Sequence, residues 1–146
     1  MLGMIRSVVD IGIVCSDFDH SLQFYRDMLG LPVVMDIEIP AETAVGACLA
    51  PAAFRQVRLA AGDTLIKLME IKNPPPERGV EFQAGVRWLT LILEDVPSQV
   101  RELEQRGVEF MSPSVAAPDA KHVVCAKGPD GMLIELVQLP ETESGS

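Results

Sequence analysis

The sequence predicts an α+β protein made of two tandem copies of one β-α-β-β-β unit, and three observations carry that reading. An apolar run, Val9-Asp10-Ile11-Gly12-Ile13-Val14, leads through Ser16-Asp17 into an amphipathic segment that closes at Gly30. The pattern returns as Trp88-Leu89-Thr90-Leu91-Ile92-Leu93, then Asp95, then an amphipathic segment that closes at Gly107. The two copies also end alike, because Leu65-Ile66-Lys67-Leu68-Met69-Glu70-Ile71 lies on Leu133-Ile134-Glu135-Leu136-Val137-Gln138-Leu139 without a gap. Asp10 therefore maps onto Trp88, Asp17 onto Asp95 and Lys67 onto Glu135. A solenoid needs three or more short repeats to bury a core, so two long copies suit one pseudo-symmetric domain.

Composition sets the bounds. With 146 residues, 48% hydrophobic and 23% charged, the chain has the material for one soluble domain with a single core. That domain is read as 1–146, with one unit at about 5–72, a second at about 84–139 and a tail at 140–146. The formal charge of -9 and the lack of a Lys/Arg cluster argue against a nucleic-acid partner. No apolar run approaches the ~20 residues of a membrane span, and the first six residues are too few for a signal peptide, so no membrane partner and a cytoplasmic location are expected. Cys15, Cys48 and Cys125 are odd in number and widely spaced, which reads as buried free thiols rather than disulfides.

Taken in order, residues 7–15 read as a strand that puts Val8, Asp10, Gly12 and Val14 on one face. Ser16 or Asp17 caps a helix whose Phe18, Leu22, Tyr25 and Leu29 form one apolar stripe, and Gly30 stops it. Residues 31–39 are the next strand. The small-residue stretch from Ala41 to Phe54 reads as a short helix, either a packed connector or a lid. Strands at Gln56–Ala60 and Thr64–Ile71 flank the Ala61-Gly62-Asp63 turn, and Asn73-Pro74-Pro75-Pro76 breaks the sheet as a linker. In the second copy the helix starts at Asp95, with Pro97 in its first turn and Val96, Val100 and Leu103 inward. Val108–Met111 and His122–Lys127 read as strands with a loop between them. Gly128-Pro129-Asp130-Gly131 is a turn, Met132–Leu139 the last strand, and Glu141–Ser146 a disordered end.

Ser21-Leu22-Gln23-Phe24-Tyr25-Arg26-Asp27-Met28-Leu29-Gly30-Leu31 and Gly128-Pro129-Asp130-Gly131-Met132-Leu133-Ile134-Glu135-Leu136, set in this duplication, resemble the vicinal oxygen chelate superfamily. That group includes glyoxalase I, methylmalonyl-CoA epimerase, extradiol dioxygenases and bleomycin- or fosfomycin-resistance proteins. The resemblance spans about residues 7–139 and implies that each unit curls into an open half-barrel of mixed sheet. It also implies a homodimer and a small-molecule ligand, and a divalent metal (Zn, Ni, Mn or Fe) held at four positions that are here Asp10, Lys67, Trp88 and Glu135.

Only Asp10 and Glu135 suit a metal. Trp offers no lone pair, and Lys arrives as a cation. No cofactor is therefore expected, with a divalent metal as the alternative. The pocket implied by the resemblance holds two carboxylates, an ammonium and an indole, and three readings stand open. In the first, a salt bridge fills a vacated metal site. In the second, Lys67 neutralises a substrate carbonyl or carboxylate while Asp10 or Glu135 moves a proton, as in a lyase, isomerase or epimerase. In the third, a metal is held by Asp10, Glu135 and Glu70. Trp88 is the residue for stacking on a flat ligand, and His122 lines either the pocket or its rim. A non-catalytic binder of the bleomycin-resistance type is the alternative to an enzyme.

Overall fold

A computed structural model describes residues 1–141, and the chain divides into two compact units, Met1–Pro76 and the part that begins at Glu77. Each unit carries a four-stranded mixed sheet, and neither sheet closes into a barrel. No helix among the described residues is long and apolar enough to cross a membrane. The tail expected to be disordered lies, from residue 142, outside the described residues; Glu141 accepts a hydrogen bond from Lys121 at 2.9 Å.

In the first unit β1 (Ile11–Val14) leads to α1 (Phe18–Leu22), β2 (Val33–Ile39), α2 (Ala41–Gly46), β3 (Phe54–Ala61) and β4 (Thr64–Glu70), with sheet order β1-β4-β3-β2. β1 runs parallel to β4, and the other pairs are antiparallel. In the second unit β5 (Trp88–Ile92), α3 (Val96–Gln105), β6 (Val115–Ala117), β7 (Ala120–Lys127) and β8 (Leu133–Gln138) form the order β5-β8-β7-β6. The registers repeat as the duplication requires. Gly12 pairs with Lys67, and its counterpart Thr90 pairs with Glu135.

The helix starts follow from the two aspartates. The Asp17 side chain accepts from the His20 backbone N–H, and the Asp95 side chain accepts from Ser98 at 3.0 Å, so each helix satisfies an otherwise orphaned donor in the same way. The ends match too: Gly30 at φ +75° and Gly107 at φ +93° take the left-handed cap. Between cap and stop the copies differ, since Gly30 lies thirteen residues after Asp17 and Gly107 twelve after Asp95. The first helix takes up the extra residue as a π turn, Gln23–Met28, in which the Leu29 N–H donates to the Phe24 carbonyl.

Each sheet packs one face against its own helix. Ile13, Cys15, Ile66, Leu68, Val57 and Leu59 meet Phe18, Ser21 and the T-shaped pair Phe24–Tyr25, all buried. The wide turn shifts the buried stripe from the Leu22/Leu29 spacing read in the sequence to Ser21, Phe24 and Tyr25. In the second unit Ile134, Leu136, Val124 and Ala126 meet Val96 and Leu103. α2 is a packed connector: Ala44, Phe54 and Met69 form a buried cluster on the other face of the first sheet.

Three sequence expectations are corrected. Val108–Met111 forms only a bridge, Phe110 to Ala126, with Met111 N–H bonded to Cys125. The second strand of that copy is β6, in the stretch read as a loop, because Pro113 and Pro118 confine pairing to the three residues Val115–Ala117. Cys48 is exposed rather than buried.

Candidate functional site

Strand alternation assigns the faces. In the first unit Asp10, Gly12 and Val14 stand away from α1, and register puts Lys67, Arg58 and Gln56 on that same open face. Asp10 is held from three sides. Its Oδ1 accepts the Leu65 backbone N–H at 3.0 Å, and its Oδ2 lies 3.7 Å from Lys67 Nζ and 3.5 Å from Arg6. The Leu65 N–H first, then Lys67 and Arg6, hold the Asp10 carboxyl below its ordinary value against a smaller opposing effect of burial. Its ionised form therefore stabilises the fold fully above about pH 4, and that contribution fades only as pH falls through the lowered folded value.

Lys67 and Asp10 keep 28% and 18% of their side-chain surfaces exposed, so the pair is partly desolvated and still reachable. Beside Lys67 in register stands Arg58, whose Nε donates to Gln56 Oε1 at 2.6 Å. The open face thus presents an ammonium and a guanidinium, each held by a neighbour, next to an ionised carboxylate. α2 covers the Phe54/Met69 end of this face and leaves the Lys67 end clear.

In the second unit Trp88, Thr90, Ile92, Glu135 and Cys125 share the face away from α3. Thr90 Oγ1 donates to Glu135 Oε1 at 2.6 Å, and Trp88 is 49% exposed. Burial, and secondarily Glu135, push the Cys125 thiol up, which leaves it protonated and a poor nucleophile.

Two residues proposed from the sequence face the other way. Glu70 lies on the α1 side of β4, where Arg55 reaches it at 3.7 Å and Asp36 at 2.8 Å. Three residues along a strand from Lys67 reverses the face, so the metal set Asp10, Glu70 and Glu135 is not assembled by β4. His122 pairs with Gln138, whose side chain accepts from the Val96 N–H of α3, so His122 stands on the helix side and not beside Glu135. Arg58 and Thr90 were missed in the sequence. Alternation from Lys67 and Glu135 finds their strands, but only the cross-strand register selects them.

The class defined by this fold is an α+β protein of two duplicated mixed sheets, each with polar and charged groups on its open face. The chain belongs to the Glyoxalase/Bleomycin resistance protein/Dioxygenase superfamily, whose model matches residues 7–136. Among its relatives are YaeR of Escherichia coli, 26% identical over 94% of this chain and 99% of that protein, and YwkD of Bacillus subtilis, 24% identical over 92% and 98%. Two solved structures share the fold. A glyoxalase family protein from Bacillus cereus is 20% identical, with a TM-score of 0.73 over 95% of this chain and 98% of that one. TnmS3, an antibiotic binding protein from Streptomyces sp. CB03234, is 24% identical, with a TM-score of 0.63 over 94% and 99%.

The residues at the four metal positions do not fit a divalent cation. Lys67 brings a positive charge, both Asp10 oxygens are engaged by donors, and Trp88 has no lone pair to give. Within each unit, among the described residues, no three His, Cys, Asp or Glu side chains cluster as a metal would require.

Proposed function

We propose that the protein binds a small carboxylate or carbonyl compound on the open face of its first unit, with Lys67 in the charge-neutralising role that a divalent metal has elsewhere in the superfamily. The observation that carries this reading is the Asp10–Lys67 pair, 3.7 Å apart and partly desolvated, with Arg58 beside it. An ammonium fixed in place by a carboxylate costs less to organise around an incoming anion than a free lysine does, and Arg58 adds a fork that matches a carboxylate. In the catalytic form of this reading a proton passes from the carbon next to a carbonyl to solvent water on the open face, the C–H electron pair moves onto the carbonyl oxygen, and Lys67 stabilises the negative oxygen that results. That is the chemistry of a lyase, isomerase or epimerase. Asp10 is Lys67's positioning partner, since a carboxyl held below its ordinary value is a weak base. TnmS3, an antibiotic binding protein on the same fold, supports the binding half of the proposal.

The test is titration of pyruvate, a small carboxylate with an adjacent carbonyl, followed calorimetrically. Wild type is expected to bind, Lys67→Met to lose about tenfold or more, the loss of one charge-assisted hydrogen bond, and Lys67→Arg to retain part of the affinity. Equal affinity in wild type and Lys67→Met overturns the assignment.

A second reading, proton abstraction in the second unit, is favoured by the Thr90–Glu135 hydrogen bond at 2.6 Å on an open face that also exposes Trp88. It makes Glu135 the base and the Trp88 indole a platform for a flat carbonyl compound. Its expected signature is solvent-deuterium incorporation next to a carbonyl that disappears in Glu135→Gln. Exchange unchanged in that variant removes Glu135 from the reaction.

A further inference from the structure

The strands of the first unit sort their charges by face. Asp36, Glu38 and Glu70, the carboxylates those strands carry, lie in register with Val57 and Arg55 on the α1 side. The open side holds Lys67 and Arg58 in one row across β4 and β3. Glu42 of α2 is exposed two residues before the inward Ala44, a spacing that turns it away from the sheet. Asp10, just before β1, is the acid that meets the row, and both Arg6 and Lys67 reach it, at 3.5 and 3.7 Å. Arg6, Lys67 and Arg58 thus set three positive charges against one negative on this face, a surplus of two in a chain whose formal charge is -9.

Arg58 is the cation left without an acid. Its Nε donates to Gln56 Oε1 at 2.6 Å, and among the described residues the guanidinium makes no ion pair and no other side-chain hydrogen bond. Gln56 is a buried polar side chain, 8% exposed, so it fixes one edge of a half-buried guanidinium and leaves both Nη groups for another partner. Arg55, on the other face, has two carboxylates where Arg58 has none. The two cations of the row are also anchored in opposite directions. Asp10 accepts from the Leu65 N–H and draws the ammonium toward Leu65, whereas Gln56, in register with Met69, holds Arg58 from the other end. No side chain of β1 covers the row, because Gly12, in register with Lys67, has open space where a Cβ would be.

We propose that the ligand of this face is a dicarboxylate, whose first carboxylate or adjacent carbonyl meets Lys67 and whose second carboxylate is taken by the Arg58 fork. This rests on Lys67 as the site of the first group and adds Arg58 as the residue that selects a diacid over a monoacid. Two negative charges neutralise the surplus, and the opposed anchors suit acid groups set apart on one short chain. A monoacid of the same length leaves the half-buried guanidinium uncompensated, which is the source of the discrimination.

The experiment is calorimetric titration of the full chain with 2-oxoglutarate and with 2-oxovalerate, which keeps the length and the 2-oxo carboxylate but ends in a methyl group. 2-Oxoglutarate is expected to bind about tenfold or more tightly than 2-oxovalerate, the worth of one charge-assisted hydrogen-bonded pair. Arg58→Met is expected to bring the two affinities together, and Arg58→Lys, which keeps the charge and loses the fork, to retain part of the difference. Lys67→Met is expected to weaken both compounds and preserve their ratio. Arg106→Gln, which removes a positive charge from the end of α3 in the second unit, is expected to leave the ratio unchanged. Equal affinity of the two compounds for wild type, with both weakened by Lys67→Met, overturns the diacid inference and leaves Lys67 in its role. A preference that survives Arg58→Met, or that falls as far in Arg106→Gln, overturns it as well. Should Arg58→Met not fold, full preference in Arg58→Gln overturns it instead. Binding of neither compound removes the inference together with the Lys67 assignment beneath it.

Discussion

Gly131→Val is expected to destabilise the protein by about 3 kcal/mol or more, read as a lowered denaturation midpoint at unchanged slope. Gly131 adopts φ +74°, which a β-branched residue resists, and any Cβ there lands on the backbone carbonyl of Gly79. The preceding Asp130 is already left-handed at φ 60°, so the turn cannot relax by passing the strain back one residue. Gly62→Ala is the control. Gly62 has φ +61° but open space around its missing Cβ, so it reports backbone strain alone, about 1 kcal/mol. Equal losses in the two variants would show that the approach of residues 78–79 to the turn is not what requires glycine at 131.

Leu68→Ala is expected to cost about 2–5 kcal/mol, the range for removing a large aliphatic side chain from a core that only partly collapses. Leu68 has no exposed surface and sits in the middle of β4, paired with Ile13 on one side and Val57 on the other, with α1 across its face. Its neighbours on two strands and a helix are fixed by ladder hydrogen bonds, so little of the cavity can close. Leu68→Met, which keeps the volume, should recover most of the loss. A denaturation midpoint for Leu68→Ala within error of wild type would remove Leu68 from the core.

Much of the architecture was legible because the chain states it twice. The two aspartate caps, the two glycine stops and the gapless match of residues 65–71 to 133–139 mark the helices and the first and last strand of each copy, whose parallel pairing only the structure supplies. Glu70, offered as a metal ligand, stands three residues from Lys67 on one strand, and alternation turns it to the far side, where it meets Arg55. What periodicity could not supply was register between strands joined by irregular chain. His122 sits in a strand whose parity is unambiguous, yet which parity faces α3 depends on the pairing of Val124 with Leu136. β6 was hidden because three residues between two prolines leave no period to read. Arg55 and Asp36, nineteen residues apart, gave no local signal that they meet.

The wide turn at Gln23–Met28 bears on how such a duplicated chain tolerates change. A residue gained inside a regular helix would rotate everything after it by about 100°, carrying the capping glycine and the next strand out of place. Here one carbonyl bonds one residue further along, and the misfit ends before Gly30. The copies can thus drift apart in length while β2 still enters the sheet where its twin's geometry expects it. The scar of an insertion or a deletion stays confined to a single loop of hydrogen bonds.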